Sequence, residues 1–597
     1  DFTLEPTVVQ LEEVVTTATG EQSRREVGNV VATLKVDSLV SRSPVTSVAD
    51  VLNARTAGVQ VVQGAGQTGS SPSIRIRGSS SLSLTNEPLF IVDGVRMDNS
   101  PQPGGTTISS QRVNRLATFN PDEIESLDVI KGPSAAALYG TAAANGVIVI
   151  KTKRGRAGRT QWSTYAEAGR VSQPAQFFDN YRSWGRNIVG GVPQPAAIQC
   201  RISQQALGNC VIDSLTTFNP LMNKETTPFS TQPRTMFGAQ ASGGSDRFRF
   251  FISAEREDET GPYEMPEAEI TRLTAIRGKA PIDEHVHPNK LGQTSLRGNF
   301  SVGLTPTLDL TVSTGYLNRQ LRTPFDGGYF AGLSFQTYFA PGFRTAFNGA
   351  SAQHIGDIMS VEQWMRDQRL TTSSTLNWTP NSWLSGRAVI GMDQTQGYGY
   401  RFARFGEGTI TGWGPPGQTG GKDVNRNTYS RYSVDLGGSA AWSVNSSISA
   451  KTAVGVQWFK DTQYQTLARG YSLPPGATTP NAASIQTSGE FTEENATYGG
   501  YTEQTFGLKD RLYLTGGVRT DQNSAFGSNI GNTIYPRAAL SYVISDESWF
   551  PEITDGGNIR LRAAFGRAGV QPTTIAALQF LNAFTVPIDG VETPGLR

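Results

Sequence analysis

Hydrophobic and polar positions alternate along most of this chain, and the pattern changes near Gly155. Before Gly155, short strand-like and helix-like segments follow one another. After it, segments of about ten residues alternate apolar and polar positions between turns, with no convincing long helix. The pattern predicts an α+β domain followed by a large antiparallel sheet.

The first part contains the elements of a compact domain. Thr46–Leu52 has apolar residues at helical spacing behind a Ser or Thr cap, and Val59–Val62 resembles a strand. Pro88–Val92 is a strand that runs into Asp93-Gly94, a strong hairpin signal. A ligand role for Asp93 is a lesser alternative to a simple turn.

A strictly alternating segment, Ser73–Gly78, places Arg75 and Arg77 on one strand face. Two interpretations of these arginines stay open. They form ion pairs with acidic side chains of a neighbouring segment, at Asp122, Glu123 and Glu125, or they belong to a solvated sheet edge.

The densest segment is Asn120–Arg154. Asn120 can cap a helix that starts at Pro121, with Glu123 as the capping-box partner. Beyond it the sequence predicts, in order, a strand at Ser126–Ile130, a short Ala-rich helix restarted at Gly132-Pro133-Ser134 and ended by Gly140, a turn at Asn145-Gly146, and a strand at Val147–Ile150 that is buried on both faces.

The second part predicts about thirteen strands. They are expected at Gln161–Val171, Met236–Ser242, Arg247–Glu255, Leu296–Leu304, Leu308–Tyr316, Thr371–Trp378, Leu384–Met392, Ser433–Trp442, Ile448–Trp458, Tyr501–Leu508, Leu512–Arg519, Tyr535–Ile544 and Ile559–Arg567. Turns within each hairpin are short, whereas the other connections are long and polar, at Ser172–Gln232, Arg256–Lys290, Gln320–Arg369 and Asp393–Ser430. This alternation favours an outer-membrane barrel over a soluble all-β protein. Because such barrels close with an even number of strands, the chain is expected to be a piece of a longer protein.

Composition narrows the class of protein. The net charge of +1 argues against a nucleic-acid partner, and no apolar run approaches the length of a membrane-spanning helix. The start, DFTLEPTVV, shows no signal peptide.

The two cysteines, Cys200 and Cys210, form a close pair that favours a loop-closing disulfide in an oxidising compartment, with two free thiols as the alternative. His285 and His287 could bind a metal from one strand face, but without an identifiable third ligand they are expected to be solvated loop residues, and no metal or cofactor is predicted. No catalytic arrangement or phosphate-binding loop stands out, so no enzymatic activity is expected.

Several motifs, in order, resemble the SusC/RagA-type TonB-dependent outer-membrane transporters. Leu11–Thr17 resembles the segment around the TonB box, and Ser73–Leu82 (SIRIRGSSSL) resembles a plug strand. Glu87–Val95 (EPLFIVDGV) resembles the "PL-x-x-IDG" signature, and Asn120–Gly155 resembles the late-plug signature. Gly243–Glu255 and Arg562–Gly566 resemble two barrel segments.

The resemblance implies an α+β plug domain inside an antiparallel transmembrane β-barrel, which has 22 strands in the family. It divides the chain into residues 1–19 (the end of an N-terminal extension and the TonB-box segment), residues 20–155 (plug) and residues 156–597 (barrel). The segment implied to bind TonB is Leu11, Glu12, Glu13, Val14, Val15, Thr16 and Thr17. The plug-motif or gating residues it implies are Arg75, Arg77, Gly78, Asp93, Gly94, Glu125, Lys131, Gly132, Tyr139, Gly140, Asn145 and Gly146.

The implied function is import of a bulky nutrient, an oligosaccharide or a peptide, across the outer membrane of a diderm bacterium. The implied partners are TonB with its ExbB/ExbD energy complex, a SusD-like surface lipoprotein, outer-membrane lipid and the nutrient itself. Gly132-Pro133 departs from the family pattern and looks more like general siderophore-type transporters. A siderophore or cobalamin receptor without a lipoprotein lid is therefore an alternative, and a barrel-anchored adhesion or assembly component is another.

Overall fold

The structure, a computed structural model, describes residues 14–17, 20–40, 45, 47–62, 64, 66–82, 84–98, 119–132, 139–326, 332–407, 420–526, 532–551, 558–567, 569, 583–588 and 591–596. A five-stranded sheet dominates the N-terminal part and a thirteen-stranded sheet dominates the rest. Within the described residues, no helix is long and apolar enough to cross a membrane.

The described residues of the N-terminal domain form nine strands. These are β1 (Val14–Thr17), β2 (Gly20–Ser23), β3 (Val31–Lys35), β4 (Val59–Val62), β5 (Ser73–Ile76), β6 (Leu89–Val92), β7 (Val95–Met97), β8 (Ile124–Ile130) and β9 (Val147–Thr152). The central sheet has the order β3-β8-β9-β6-β7, and β6 and β9 form its one parallel pair. β1 pairs with β2, and β4 pairs with β5.

Both faces of this sheet are buried. Ile148 and Ile150 pack in one apolar cluster with the helix Val48–Leu52, while Val147 and Val149 pack in a second cluster on the other face. The predicted doubly buried strand is therefore confirmed. The predicted helix is also present, and its cap is Ser47, whose hydroxyl accepts from the backbone N–H of Asp50 at 3.2 Å.

The capping box predicted at Asn120 is half right. The Asn120 side chain accepts from the backbone N–H of Asp122 at 2.7 Å and begins a short 3₁₀ helix, Pro121–Glu123. Glu123 does not fold back onto the cap, because its carboxylate pairs with a side chain of the large sheet. The Ala-rich helix predicted after Gly132-Pro133-Ser134 begins outside the described residues.

The large sheet, called the wall below, confirms the predicted fold and its thirteen strands. Each strand pairs with its neighbour in an antiparallel ladder, in the order β10-β14-β15-β16-β17-β18-β19-β20-β21-β22-β23-β24-β25. The strands are β10 (Gly158–Val171), β14 (Gln232–Gly244), β15 (Phe248–Thr260), β16 (Lys290–Thr305), β17 (Leu308–Arg322), β18 (Glu362–Trp378), β19 (Leu384–Ala403), β20 (Gly420–Asn445), β21 (Ile448–Leu473), β22 (Ile485–Leu508), β23 (Leu512–Asn523), β24 (Thr533–Val543) and β25 (Arg560–Gly566).

The hairpin turns stand along one edge of the wall, the short-turn rim, and the long connections stand along the other, the long-loop rim. Strands extend further toward the long-loop rim than the sequence predicted, and β20 and β21 have 26 residues each. About 9–11 tilted residues are enough to cross a bilayer, so these strands continue beyond it.

The long connections are folded, and one of them carries an 11-residue helix, Glu267–Arg277, where the sequence predicted no convincing long helix. The first of them carries a second sheet of three strands, β11 (Asn180–Val189), β12 (Val192–Gln199) and β13 (Cys210–Phe218), with a short helix, Ile202–Ala206, between the last two. Others carry the helices Glu267–Arg277, Asp283–Val286, Leu333–Tyr338 and Ile355–Met359. Near the end of the chain, β26 (Ala583–Ile588) pairs with β27 (Val591–Leu596).

The two faces of the wall have opposite chemistry. Many of its outward side chains are apolar; Leu514 and Ile534, for example, are 50% and 61% exposed. Its inward side chains include buried Arg319, Arg519 and Asp521, which face the N-terminal domain or its surroundings. Apolar positions outside and polar positions inside are the pattern of a membrane barrel whose interior is filled.

Candidate functional site

The first group of contacts joins the N-terminal domain to β15 and β16. Glu123 accepts a hydrogen bond from Arg297 Nε at 2.6 Å and another from Ser253 Oγ at 2.8 Å. The side chains of Arg297 and Glu123 are 7% and 3% exposed, so this ion pair is buried. Because a buried charge that loses its partner is strongly destabilising, the pair fixes the domain against the wall.

A second buried carboxylate, Glu255 of β15, lies beside this ion pair. Asn120 Nδ2 donates to Glu255 Oε2 at 2.7 Å, and the Tyr165 hydroxyl of β10 donates to the same oxygen at 2.5 Å. Asn120 therefore caps its own 3₁₀ helix with one side-chain atom and contacts the wall with the other.

The predicted hairpin turn at Asp93-Gly94 is confirmed, and both residues have positive φ, at 47° and 89°. Asp93 also joins two parts of the domain, since its carboxylate accepts from the backbone N–H and the hydroxyl of Thr152 at 3.1 and 2.6 Å. Asn299 of β16 in turn donates to the Thr152 hydroxyl at 2.8 Å. The turn is thus connected to the wall through the side chain of Thr152.

The end of β7 is held by two arginine–aspartate pairs of the wall. Arg369 binds Asp393 at 2.7 Å, and Asp393 Oδ2 accepts from the backbone N–H of Asp98 at 3.0 Å. Arg431, paired with Asp461, donates to the Met97 carbonyl at 3.1 Å. Since these bonds use backbone groups at the end of β7, they fix the path of the chain whatever its side chains are.

A loop of the N-terminal domain, Gln67–Gly69, contacts the wall near the long-loop rim. Gln67 Nε2 donates to Asp326 at 2.8 Å, and the Thr68 hydroxyl donates to Glu259 at 2.5 Å. The carbonyl of Gly69 accepts from Arg319 at 2.8 Å. Asp326 also accepts from the backbone N–H of Ser334 in the next long connection, so this loop is linked directly to the segments above it.

The two arginines of the predicted plug strand do not occupy one strand face. β5 ends at Ile76, and Arg77 follows with a φ of 61°, in the turn that continues into Gly78 at 93°. Among the described residues, no ion pair joins Arg75 or Arg77 to the acidic segment. The ion-pair interpretation is wrong because Glu123 is used by Arg297, while Glu125 points to the exposed side.

Lys131 and Gly132 lie next to Arg77. Lys131 Nζ donates to the Ala57 carbonyl at 2.6 Å, and a Cβ added at Gly132 would stand 2.8 Å from Arg77 Nη1. Burial first, and then the charges of Arg77 and Arg562, lower the pKa of the Lys131 ammonium. Gly132 has a φ of 92°, so this position requires glycine on conformational grounds as well.

The remaining late-plug residues hold the turn before β9. Asn145 Nδ2 donates to the Thr85 carbonyl at 2.8 Å, and a Cβ at Gly146 would approach Ile76 Cδ1 to 2.9 Å. Tyr139 is buried, and Gly140 faces the wall, where a Cβ would stand 2.9 Å from Asp521 Oδ2. These residues stabilise the domain and its fit to the wall, and their role in gating stays a prediction.

The segment predicted to bind TonB is described only in part. Leu11, Glu12 and Glu13 lie outside the described residues, whereas Val14–Thr17 form β1 and pair with β2. The chain then contacts the short-turn rim, where Arg25 donates to the Asp510 carbonyl at 3.3 Å and faces Asp546 at 3.7 Å. This segment therefore lies on the side of the domain opposite to the Gln67–Gly69 loop.

Helices at the long-loop rim pack around a buried carboxylate. Glu269 accepts from Asn348 at 2.6 Å and from Arg272 at 2.9 Å, and it lies 3.0 Å from His354 Nδ1. Burial alone would raise the pKa of Glu269, but hydrogen bonds from His354 and Asn348 and the charge of Arg272 lower it.

The expectation of solvated loop histidines at this rim is wrong for His285, which is 1% exposed and lies 3.6 Å from Glu362. It belongs to the helix Asp283–Val286 and not to a strand, so His285 and His287 do not share a strand face.

Cys200 and Cys210 form a disulfide, with their Cα atoms 5.9 Å apart. The bond joins the end of β12 to the start of β13 across the helix Ile202–Ala206. Both sulfurs are buried although the surrounding sheet is largely exposed. In a sheet with so small an apolar core, this covalent bond is expected to supply much of the local stability.

Replacing both cysteines by serine is expected to loosen this three-stranded sheet without affecting the wall. Opening a loop of this size removes about 3 kcal/mol of stabilisation in the chain-entropy account. Limited proteolysis should then cut between residues 199 and 210 much faster than in the unchanged protein. Unchanged cleavage in the double variant would show that the sheet holds without the bond.

The sequence interpretation missed the arginines and aspartates of the wall that bind the domain, Arg297, Arg369, Asp393 and Arg431. Each occupies an inward position of a strand whose outward positions are apolar. Once a barrel is assumed, a charged residue at an inward position predicts a contact with the plug or with another inward residue, because a charge that faces the lumen needs a partner inside. Which plug residue each wall residue contacts depends on how the wall strands are positioned against the domain, and the alternation of apolar and polar residues does not determine that position.

Two family profiles match the chain and together cover more than half of it. The TonB-dependent Receptor Plug Domain matches residues 23–147, and the TonB dependent receptor-like, beta-barrel family matches residues 306–591. The TonB-dependent receptor SusC of Bacteroides thetaiotaomicron is 24% identical over 582 residues, which is 94% of this chain and 54% of SusC. Ferric enterobactin receptor PirA of Pseudomonas aeruginosa is 32% identical over 151 residues, which is 25% of this chain and 19% of PirA.

The solved RagAB peptide importer in its open-open state superposes with a TM-score of 0.68 at 17% identity, over 98% of this chain and 64% of that chain. This likeness shows the fold. The chain thus spans about half the length of SusC and less than two thirds of the importer chain. It belongs to the TonB-dependent receptors of the Gram-negative outer membrane, and it is of the SusC/RagA type.

Proposed function

We propose that this chain is the plug and part of the barrel of a receptor that imports an oligosaccharide or a peptide across the outer membrane, using energy from TonB. The observation that carries the proposal is the buried contact between the plug domain and the wall. Ion pairs and backbone hydrogen bonds fix the plug at β15–β16, at the end of β7 and at the Gln67–Gly69 loop. A solute can pass only when some of these contacts break.

Breaking them requires work, which supports coupling to an external energy source. Each buried ion pair costs several kcal/mol to separate when one partner stays in place. Binding of a solute at the long-loop rim could shift the Gln67–Gly69 loop through Asp326 and Ser334, but it does not reach the contacts at β15–β16 directly. A pull on the N-terminal segment acts from the opposite side.

In this proposal, Leu11–Thr17 binds TonB by adding a strand to an exposed sheet edge, a mode in which backbone hydrogen bonds give affinity. ExbB and ExbD would supply the energy. A SusD-like lipoprotein would cover the long-loop rim, where the helices Glu267–Arg277 and Leu333–Tyr338 form a folded platform. Cargo would bind between that platform and the plug. No catalytic step is part of the proposal.

Deleting Glu12–Thr17 in the full-length receptor is expected to abolish uptake, because the plug would then receive no pull. Outer-membrane insertion should stay normal, since the contacts described above between plug and wall are all made by residues after Thr17. The measurement is growth of cells on the receptor's cargo, with surface labelling as the control for insertion. Normal growth with the deletion would reject energy coupling and favour a surface adhesion or assembly component.

A second candidate, import of an iron chelate without a lid, is favoured by one specific observation. A stretch of 151 residues of this chain is 32% identical to the ferric enterobactin receptor PirA. The departure from the family pattern at Gly132-Pro133 favours the same candidate. Purification under mild conditions separates the candidates, because a stoichiometric lipoprotein supports the first and iron-dependent growth without one supports the second.

A further inference from the structure

A cavity of about 480 Å³ lies between the plug and the wall on the short-turn side. The plug contributes the Asp93-Gly94 turn and the end of β9, and the wall contributes β18 to β22. Thr375 and Asn377 of β18 lie along it, as does Thr379, which directly follows β18 at the hairpin turn. The cavity therefore extends from beneath the plug sheet to the rim from which a solute would leave.

The charged side chains of this cavity are predominantly cationic. Four cationic and two anionic residues line it: Arg96, Lys151, Arg154 and Arg387 against Asp93 and Asp435. Both carboxylates are already hydrogen-bonded, Asp93 to Thr152 and Asp435 to Gln457 Nε2 at 2.9 Å. With four cations against two carboxylates, the net charge of the cavity lining is positive.

Arg387 is a cation of this cavity that faces the plug turn, with Asp435 as a charged neighbour. Its Nη2 lies 3.2 Å from the position of a Cβ built on Gly94, so the guanidinium reaches the plug turn across the cavity. Within the described part of the chain, Arg387 forms no hydrogen bond and no ion pair. Arg96, by contrast, donates to the Tyr139 carbonyl and stacks over the Phe459 ring at 3.4 Å.

Hydroxyl and amide groups complete the lining. Thr375, Asn377, Ser385 and Ser439 offer donors and acceptors around the cationic group. A volume of this size is within the range of small-molecule sites, and it suits a unit about as large as a disaccharide or a dipeptide. An arginine fork among hydroxyl groups is the arrangement that binds a carboxylate.

We propose that this cavity is a transit site on the periplasmic half of the import path, and that Arg387 binds a carboxylate of the passing solute there. The proposal rests on the proposed import function. The carboxylate can belong to an acidic sugar or to a peptide, and the chemistry of recognition is the same. A neutral sugar would meet no comparable partner for Arg387.

The test uses the full-length receptor, purified in detergent, with one introduced thiol at Thr375→Cys. The two cysteines of this chain are joined to each other, so they leave no competing thiol within it. The rate of modification is measured with an anionic and with a cationic methanethiosulfonate reagent, relative to their rates with a free small thiol. A cationic cavity should favour the anionic reagent by about an order of magnitude, since surface potentials of one to several kT are typical of charged clefts.

Arg387→Gln should reduce this preference several-fold. The matched control is Arg426→Gln, which removes the same charge from the outward face of β20, where Arg426 stacks on Tyr398 at 5.5 Å. That control should leave the preference unchanged. Thr379→Cys, nearer the rim, gives a second position if Thr375→Cys does not fold. Equal normalised rates for both reagents at either position would overturn the cationic site.

Ligand protection identifies the source of the carboxylate. Digalacturonate, a dipeptide and the neutral disaccharide digalactose are each added before the reagent. If only digalacturonate slows modification, the carboxylate belongs to an acidic sugar. If only the dipeptide slows it, the carboxylate belongs to a peptide. If each of the two slows it, the site recognises the carboxylate that they share. Protection by digalactose to the same extent, or by none of the three, would overturn carboxylate binding.

The two proposals fail independently. Growth that survives deletion of Glu12–Thr17 would reject energy-coupled import and leave the reagent preference at Thr375→Cys as it is. Equal reagent rates would reject the transit site and leave the dependence of growth on Glu12–Thr17 untouched.

Discussion

Replacing Glu123 by alanine is expected to loosen the plug from the wall while the wall stays folded. The substitution leaves the guanidinium of Arg297 buried without its carboxylate partner and removes the acceptor of Ser253. Removing one partner of a buried ion pair costs about 3–5 kcal/mol. A change of about 1.36 kcal/mol corresponds to a factor of ten in a population. The fraction of plugs detached at β15–β16 should therefore rise by roughly two to four orders of magnitude.

Hydrogen exchange measures this detachment directly. Backbone amides of Asp122–Ile130 should exchange faster by a comparable factor, while those of β20 and β21 should keep their rates. Cells that produce the variant should also become sensitive to a large hydrophilic antibiotic, because a barrel this wide leaves an aqueous channel when its plug is displaced.

Two controls separate charge burial from simple loss of a carboxylate. Glu125→Ala removes the same group two residues away, where it is exposed, and should change neither exchange nor antibiotic sensitivity. The double variant Glu123→Gln with Arg297→Gln removes both charges together, and a neutral amide pair should restore most of the protection. A double variant as leaky as Glu123→Ala would show that the ion pair is not what holds the plug.

Much of this architecture follows from alternation along the sequence. The thirteen wall strands were predictable because each places apolar side chains outward at every second position and ends at turn residues such as Asn445-Ser446 or Lys509-Asp510. The strand Val147–Ile150 was predictable because an unbroken apolar run requires burial on both faces. Both signals are local, so one sequence is enough to read them.

The folded long connections were not predictable in the same way. The helix Glu267–Arg277 has only two buried residues, Glu269 and Leu273, so it carries no clear apolar periodicity. It is stabilised by ion pairs with a distant segment, such as Arg272 with Asp357 at 3.0 Å. Contacts across 85 residues depend on how two connections meet, and hydrophobic pattern does not encode that.

The candidate site shows the same division. The Asp93-Gly94 turn could be read from the sequence, because its residue types specify a positive φ. The partner of Glu123 could not be read, since Arg75 and Arg77 lie closer in sequence than Arg297. Only the seating of the plug against β16 brings Arg297 within 2.6 Å of the carboxylate.

The central claim is that the plug must separate from the wall for a solute to pass. Gly391 of β19 and Val95 of β7 offer a way to prevent this, since a Cβ added at Gly391 would stand 3.2 Å from Val95 Cβ. Disulfides have Cβ separations of about 3.5–4.5 Å, so a shift of a few tenths of an ångström brings the two positions into that range. Val95→Cys with Gly391→Cys should therefore form a reducible bond between plug and wall.

A matched control joins two wall strands and leaves the plug free. Ser449 and Gly507 are register partners on β21 and β22, and a Cβ added at Gly507 would stand 2.5 Å from Ser449 Oγ. Ser449→Cys with Gly507→Cys should form a bond of similar chemistry, and uptake should stay normal in either redox state.

The decisive measurement is uptake of cargo by cells with the full-length Val95→Cys, Gly391→Cys receptor, before and after reduction. The account predicts no uptake while the bond between plug and wall is intact and recovery when it is reduced. Equal uptake in the oxidised and reduced states, with the bond verified by mass spectrometry, would contradict it and would show that solute passes without separation of the plug from β19.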